Sequence, residues 1–129
     1  MSEQKKTIEI EYFINTSPAV LYNSLSTPKG LAEWFADSVT AEGFEYTFIW
    51  SKSEQKAVQT ICNEDQLVRF QWLDDYEDNS WFEFQIKIDE ITGDLSLIVV
   101  DNVDFEDEID AIEQWNKQIE ILKRSLGSL

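Results

Sequence analysis

"FEDEIDAIEQWNKQIEILKRSL", residues 105–126, decides the architecture of this 129-residue chain. Ile109, Ile112, Trp115, Ile119, Leu122 and Leu126 recur at steps of three and four, the spacing of one face of an α-helix. Acidic residues crowd its start, and Lys117, Lys123 and Arg124 fall in its second half, as the helix dipole favours. Gly127 is placed to end it. The pattern predicts a continuous amphipathic helix over 107–125, with Ile112, Trp115, Ile119 and Leu122 turned toward whatever it packs on.

What it packs on is read from the segments before it. Residues 7–14, "TIEIEYFI", alternate: Ile8, Ile10, Tyr12 and Ile14 share one face and Glu9 and Glu11 the other, the mark of a half-buried strand. Two short helices follow. Ser17-Pro18 and Thr27-Pro28 are helix starts in which a hydroxyl caps and proline takes the first position. From residue 44 the chain alternates again. "FEYTFIW" sets Phe44, Tyr46, Phe48 and Trp50 on one face, "SKSEQK" reads as a polar turn, and "AVQTICN" is a weaker strand whose inward face is unclear. "LVRFQWL" aligns Val68, Phe70 and Trp72; "WFEFQIKI" aligns Phe82, Phe84, Ile86 and Ile88; Gly93 turns the chain into "LSLIVVD". A run of hairpins means an antiparallel sheet. The long helix is the one element able to cover its apolar face. The expected fold is therefore α+β, a curved antiparallel sheet of roughly seven strands wrapped round a C-terminal helix, with two short helices after strand 1, in one domain over 1–129.

Composition narrows the function classes. Ten basic residues against 26 acidic ones give a formal charge of −16, which repels nucleic-acid phosphates and anionic lipid heads. The same charge gives solubility, or attraction for a basic protein partner. Cys62 is the single cysteine, so no internal disulfide forms, which points to a reducing compartment. No apolar run is long enough to span a bilayer, "MSEQKKTIEIEYF" has no signal-peptide core, and a cytoplasmic location is expected. Histidine is absent, which removes Ser-His and Cys-His nucleophile systems and the usual zinc sites. The four glycines have no phosphate-loop spacing. No cofactor and no metal site is expected.

"SPAVLYNSLSTPKGLAEWFAD", the "FEYTFIW" strand and "IEQWNKQIEILKRSL" together resemble the START-like (helix-grip, SRPBCC) superfamily, most closely its activator-of-heat-shock-ATPase homologue family. The resemblance implies a cavity between sheet and long helix with its mouth near the short helices. Members bind lipids, hormones or polyketides, catalyse cyclisation or hydroxylation, or stimulate a chaperone ATPase in the stress response. The chain has no counterpart of the eukaryotic activator's separate N-terminal domain, which weighs against the co-chaperone reading.

Such a cavity would be lined by Trp34, Phe35, Phe48, Trp50, Phe70, Trp72, Phe84, Trp115 and Ile119. Each has a plainer reading as packed core, the rings simply filling the space under the helix. Trp34 and Phe35 are adjacent, so one is expected to look inward, Trp34, and the other to sit nearer the rim, Phe35. Trp81 is out of phase with Phe82 and should point outward, covered by Leu73 or Tyr76 if at all. Arg69 lies opposite Phe70 and reads as a surface residue; Cys62 reads as a small apolar one. "DDYED", residues 74–78, lacks the glycine and ligand spacing of a calcium loop and reads as a solvated tip. Asp107 and Asp110 read as helix-start residues, and no carboxylate pair has acid–base spacing. Three functions stay open: a non-catalytic module for a small hydrophobic molecule, an interaction or chaperone-regulating domain acting through its acidic surface, and a cyclase- or hydrolase-like enzyme.

Overall fold

A computed structural model describes residues 5–73 and 80–127. The DDYED run and Tyr76 lie outside the described residues. Strand β1 (Lys5–Phe13) leads into helices α1 (Pro18–Ser26) and α2 (Pro28–Leu31). Strands β2 (Ser38–Glu42), β3 (Glu45–Trp50), β4 (Ser53–Asn63), β5 (Leu67–Trp72), β6 (Trp81–Ile88) and β7 (Leu95–Asp104) follow, then a 3-10 turn over Phe105–Asp107 and helix α3 (Glu108–Ser125). All strand pairs are antiparallel, in the order β1-β7-β6-β5-β4-β3-β2, so the meander closes by laying β1 beside the last strand. The curved sheet grips α3, whose Trp115, Ile119 and Leu122 are buried against it. Tyr12 Oη donates to Asn116 Oδ1 at 2.7 Å and Lys6 Nζ to Glu108 Oε1 at 2.9 Å, tying β1 along the helix.

The inward strand positions follow the alternation. Phe48, Phe70, Phe82, Phe84, Leu97 and Val99 are essentially inaccessible to solvent. The short helices follow their caps: Ser17 Oγ accepts from Val20 N and Thr27 Oγ1 from Gly30 N.

Several details differ from the sequence reading. Phe44 lies in the β2–β3 turn beside Gly43 (φ +62°) and is exposed rather than inward. The edge strand β2, "SVTAE", carries no strand signature in the sequence, because it turns only Val39 and Ala41 toward the interior side and is mostly exposed. "SKSEQK" is not a turn beyond its first two residues, because β4 begins at Ser53 and overhangs the core with an exposed first half. The unclear face of "AVQTICN" has a physical cause, a bulge between Gln59 and Ile61 that shifts the register. Before it Ala57 and Gln59 face inward; after it Cys62 does, at an end of the sheet where it is exposed instead of packed as a small apolar residue. Its thiol donates to Gln59 Oε1, and burial of the sulfur pushes its pKa up. Ile88 and Ile109 continue the apolar patterns past the ends of the packed region and are 50% and 72% exposed. Trp81 faces outward but is covered: the Arg69 guanidinium lies over its ring, 4.1 Å from the centroid. Arg69 Nε also donates to the buried Glu83 at 2.7 Å, so this surface arginine anchors the outer face of β5 and β6.

Candidate functional site

The loop from α2 into β2 carries Trp34 and Phe35 down onto the ring-filled interior. Both are buried, at 4% and 5% exposure. Trp34 turns inward, where its indole N–H donates to the Ser24 carbonyl of α1 at 2.8 Å and its ring meets Phe84. Phe35 is the centre of the aromatic cluster. It stacks on Phe82 (centroids 5.3 Å apart) and Trp115 (5.9 Å), and meets Phe48 and Trp50 edge-on at 5.0 and 5.7 Å. Its backbone is pinned as well. The Phe35 carbonyl accepts from Trp50 Nε1 at 3.0 Å and from Gln118 Nε2 at 3.1 Å, tying the loop to β3 and to α3 through one oxygen.

The space between sheet and helix is thus occupied by rings: Phe70 on Phe82 at 5.1 Å, Trp72 on Phe82 at 5.1 Å, Phe48 against Trp72 at 5.7 Å. Beside these rings a cleft of about 350 Å³ opens to solvent, floored by Phe35, Trp50, Trp72 and Trp115 rather than bordered by α1 or α2. Helix α3 forms one wall with Ala111, Gln114 and Gln118, and Gln55 and Asp101 complete the lining. Of the nine candidates, Phe35, Trp50, Trp72 and Trp115 are brought together here. Trp34, Phe48, Phe70, Phe84 and Ile119 lie behind them as buried core.

Asp101 was missed by the sequence reading, although a signal existed. It continues the inward phase of Leu95, Leu97 and Val99 on β7, an acid at the end of an apolar face. It pairs with Ile8 on one side and Phe82 on the other. Oδ2 accepts from Trp115 Nε1 at 2.8 Å and Oδ1 from the backbone N–H of Asn102 at 2.8 Å. Burial pushes its carboxyl pKa up, against the pull of the Trp115 and Asn102 hydrogen bonds and the Lys5 charge. A carboxyl raised by folding contributes its stability below the unfolded carboxylate range and loses it as pH rises through the folded value. Asp101→Asn keeps an acceptor for Trp115 and removes the charge. The variant should melt above the wild type at pH 7, and its advantage should shrink as pH falls into the carboxylate range; thermal melts across pH check both signs.

Among the described residues no group of three or more His, Cys, Asp or Glu side chains is placed to hold a metal ion. Nor is any helix among them long and apolar enough to cross a membrane.

A curved antiparallel sheet closed round a C-terminal helix, with two short helices after strand 1, defines the helix-grip class. The chain belongs to the START-like superfamily: the family model described as a START-like superfamily domain matches residues 1–128. Solved structures agree. A protein from Bacteroides fragilis, known from a solution NMR structure, is 34% identical, with 94% of this chain and 90% of that one covered and a TM-score of 0.68. The Aha1 dimer from Colwellia psychrerythraea has the same fold at 18% identity, with 94% and 96% covered and a TM-score of 0.79. So does an AHSA1-like protein from Aeromonas hydrophila, at 12% identity, 92% and 90% covered and a TM-score of 0.74. A search of curated proteins returned no match.

Proposed function

We propose that the chain is a non-catalytic START-like module that holds a small hydrophobic molecule in this cleft. One observation carries this reading: four aromatic side chains, Phe35, Trp50, Trp72 and Trp115, floor an open cleft of about 350 Å³, within the size range of ligand sites. Rings already fill the space under α3, so the ligand lies across the cleft rather than deep in the fold. Among the described residues the lining offers one carboxylate and three carboxamides, and the carboxylate is already hydrogen-bonded to Trp115 and Asn102. That chemistry suits binding. With much of the ligand left in water, affinity should be modest and selection loose.

The test is a thermal-shift screen with fatty acids, flat aromatics and isoprenoids, on the wild type and on Trp72→Ala. Trp72 is half-buried at the rim, so its loss removes cleft floor at a smaller cost to the core than loss of Phe35. A ligand that binds only the native state at about 100 times its Kd adds roughly 2.7 kcal/mol. At least one class should raise the wild-type Tm in a concentration-dependent way, and Trp72→Ala should weaken that shift several-fold. If no compound shifts the wild type while a basic protein binds in a salt-sensitive way, the acidic-surface interaction reading replaces this one. Turnover of a screened compound that survives repurification, and is lost on changing one carboxylate, would establish an enzyme instead.

A further inference from the structure

Given that the cleft binds small apolar molecules, we infer that it selects those carrying a positive charge: an organic cation, a quaternary or protonated amine on an apolar body, with its charged head beside Asp101 among the indoles of Trp50, Trp72 and Trp115.

Three features lead there. The first is the pairing of rings with a single carboxylate. Indole faces attract cations through their quadrupole, most strongly where water is displaced. Asp101 sits in the same lining as those rings. Its two hydrogen bonds, from Trp115 and Asn102, use about half of a carboxylate's acceptor positions. The rest remain for an ammonium N–H or for a close electrostatic contact with a quaternary head. A neutral ligand would gain nothing from a charged group here, whereas a cation offsets the burial of that charge.

The second feature is what else lines the cleft. Among the described residues its other polar side chains, Gln55, Gln114 and Gln118, are uncharged, and no lysine or arginine lines it. A carboxylate-bearing ligand, such as a fatty acid, would meet the charge of Asp101, and the ammonium that acts on that carboxylate, Lys5, lies outside this lining and is engaged by Asp104 and Ser80.

The third feature is the neighbouring groove of about 490 Å³, which shares Gln55 and Trp72 with the cleft. Its charged lining is Asp104 and Asp107 against Lys5. The Lys5 ammonium is committed within it, 3.3 Å from Asp104 Oδ1 and 2.9 Å from Ser80 Oγ. Among the described residues three carboxylates and one engaged ammonium thus border the two adjoining spaces, in a chain of formal charge −16. The field across the cleft favours cations and raises their local concentration.

The decisive experiment uses two probes of one shape, phenyltrimethylammonium and its uncharged isostere tert-butylbenzene. Binding is followed by NMR through the tryptophan indole N–H resonances. The wild type should bind the cation about tenfold more tightly than the isostere, within the strength of a partly desolvated cation–π and carboxylate site. The preference should fall as salt is raised, since ions screen the charge term and leave the apolar one. Asp101→Asn should bring the two probes to within about twofold of each other. The wild-type comparison and its salt dependence need no variant, so they decide the matter even if Asp101→Asn folds poorly. Equal or tighter binding of tert-butylbenzene would overturn the charge selection and leave the apolar cleft standing. Binding of neither probe, with perturbation absent from the Trp50 and Trp115 indoles at saturating concentration, would overturn both readings.

Discussion

Trp115→Ala should destabilise the fold by about 4 kcal/mol, the loss expected for truncating a buried ring. The indole is 6% exposed and meets Phe35, Phe82 and Phe84 with centroids 5.9, 6.2 and 5.8 Å away. Truncation removes that packing and opens a hole between α3 and the sheet that stiff neighbouring rings cannot close. It also strips Asp101 Oδ2 of its donor, leaving a buried carboxylate less well satisfied. Trp115→Phe separates the two effects. It keeps an aromatic ring in the site while losing the N–H and part of the indole's volume, so a smaller share, about 2 kcal/mol, should go. Urea denaturation of the three proteins gives the numbers. A loss below about 1 kcal/mol for Trp115→Ala would mean that the ring serves only as cleft lining and contributes little to the core.

The same residue shows why fold and site were unequally legible in the sequence. The helix stripe was plain because packing demands apolar side chains at steps of three and four, and Trp115, Ile119 and Leu122 meet that demand. The strands were plain for the same reason at a period of two. Where an element overhangs the core, that pressure vanishes and so does its signature. The first half of β4 is polar and exposed, and β2 offers only Val39 and Ala41 to the interior, so neither announced itself. Ile109 and Ile88 fail in the opposite sense: apolar residues sit on faces that the partner element no longer covers.

The cleft is made at just such margins. Gln55 comes from the overhanging part of β4, Gln114 and Gln118 flank the apolar stripe of α3, and Asp101 interrupts an inward strand face. Each is the residue that pattern reading treats as noise. Trp50, Trp72 and Trp115 were legible as inward aromatics and Phe35 as a ring nearer the rim, but which of nine would line open space depended on where Phe35 lands, and one carbonyl bridged by Trp50 and Gln118 fixes that. Asp101 is the clearest conflict. Its burial costs stability when charged, yet the acid stands where an apolar residue would continue the run. Local departures from packing logic of this kind concentrate at functional sites.

Gly30→Ala should cost about 3 kcal/mol, an unusually large effect for one added methyl group. The cause is close approach rather than backbone conformation. A Cβ at Gly30 would lie 2.2 Å from the Asn23 carbonyl oxygen, 2.7 Å from Ser24 Cα and 2.9 Å from Thr27 Oγ1. Two of these are backbone atoms of α1, which cannot swing aside as a flexible side chain does. Thr27 Oγ1 is held too, donating to the Asn23 carbonyl at 2.8 Å and accepting from Gly30 N at 3.0 Å. Relief therefore requires α2 to move bodily off α1. That movement would drag Trp34 from the Ser24 carbonyl and lift Phe35 from the rings beneath it. The consequence reaches function, because Phe35 is part of the cleft floor. Gly30→Ala should lose stability and also bind the cleft probes several-fold more weakly at a temperature where it is still folded. Asn23→Gly, which leaves the backbone oxygen in place, should not rescue it. A variant as stable as the wild type would show that the two helices can part without cost, and that the corner does not hold Phe35 in position.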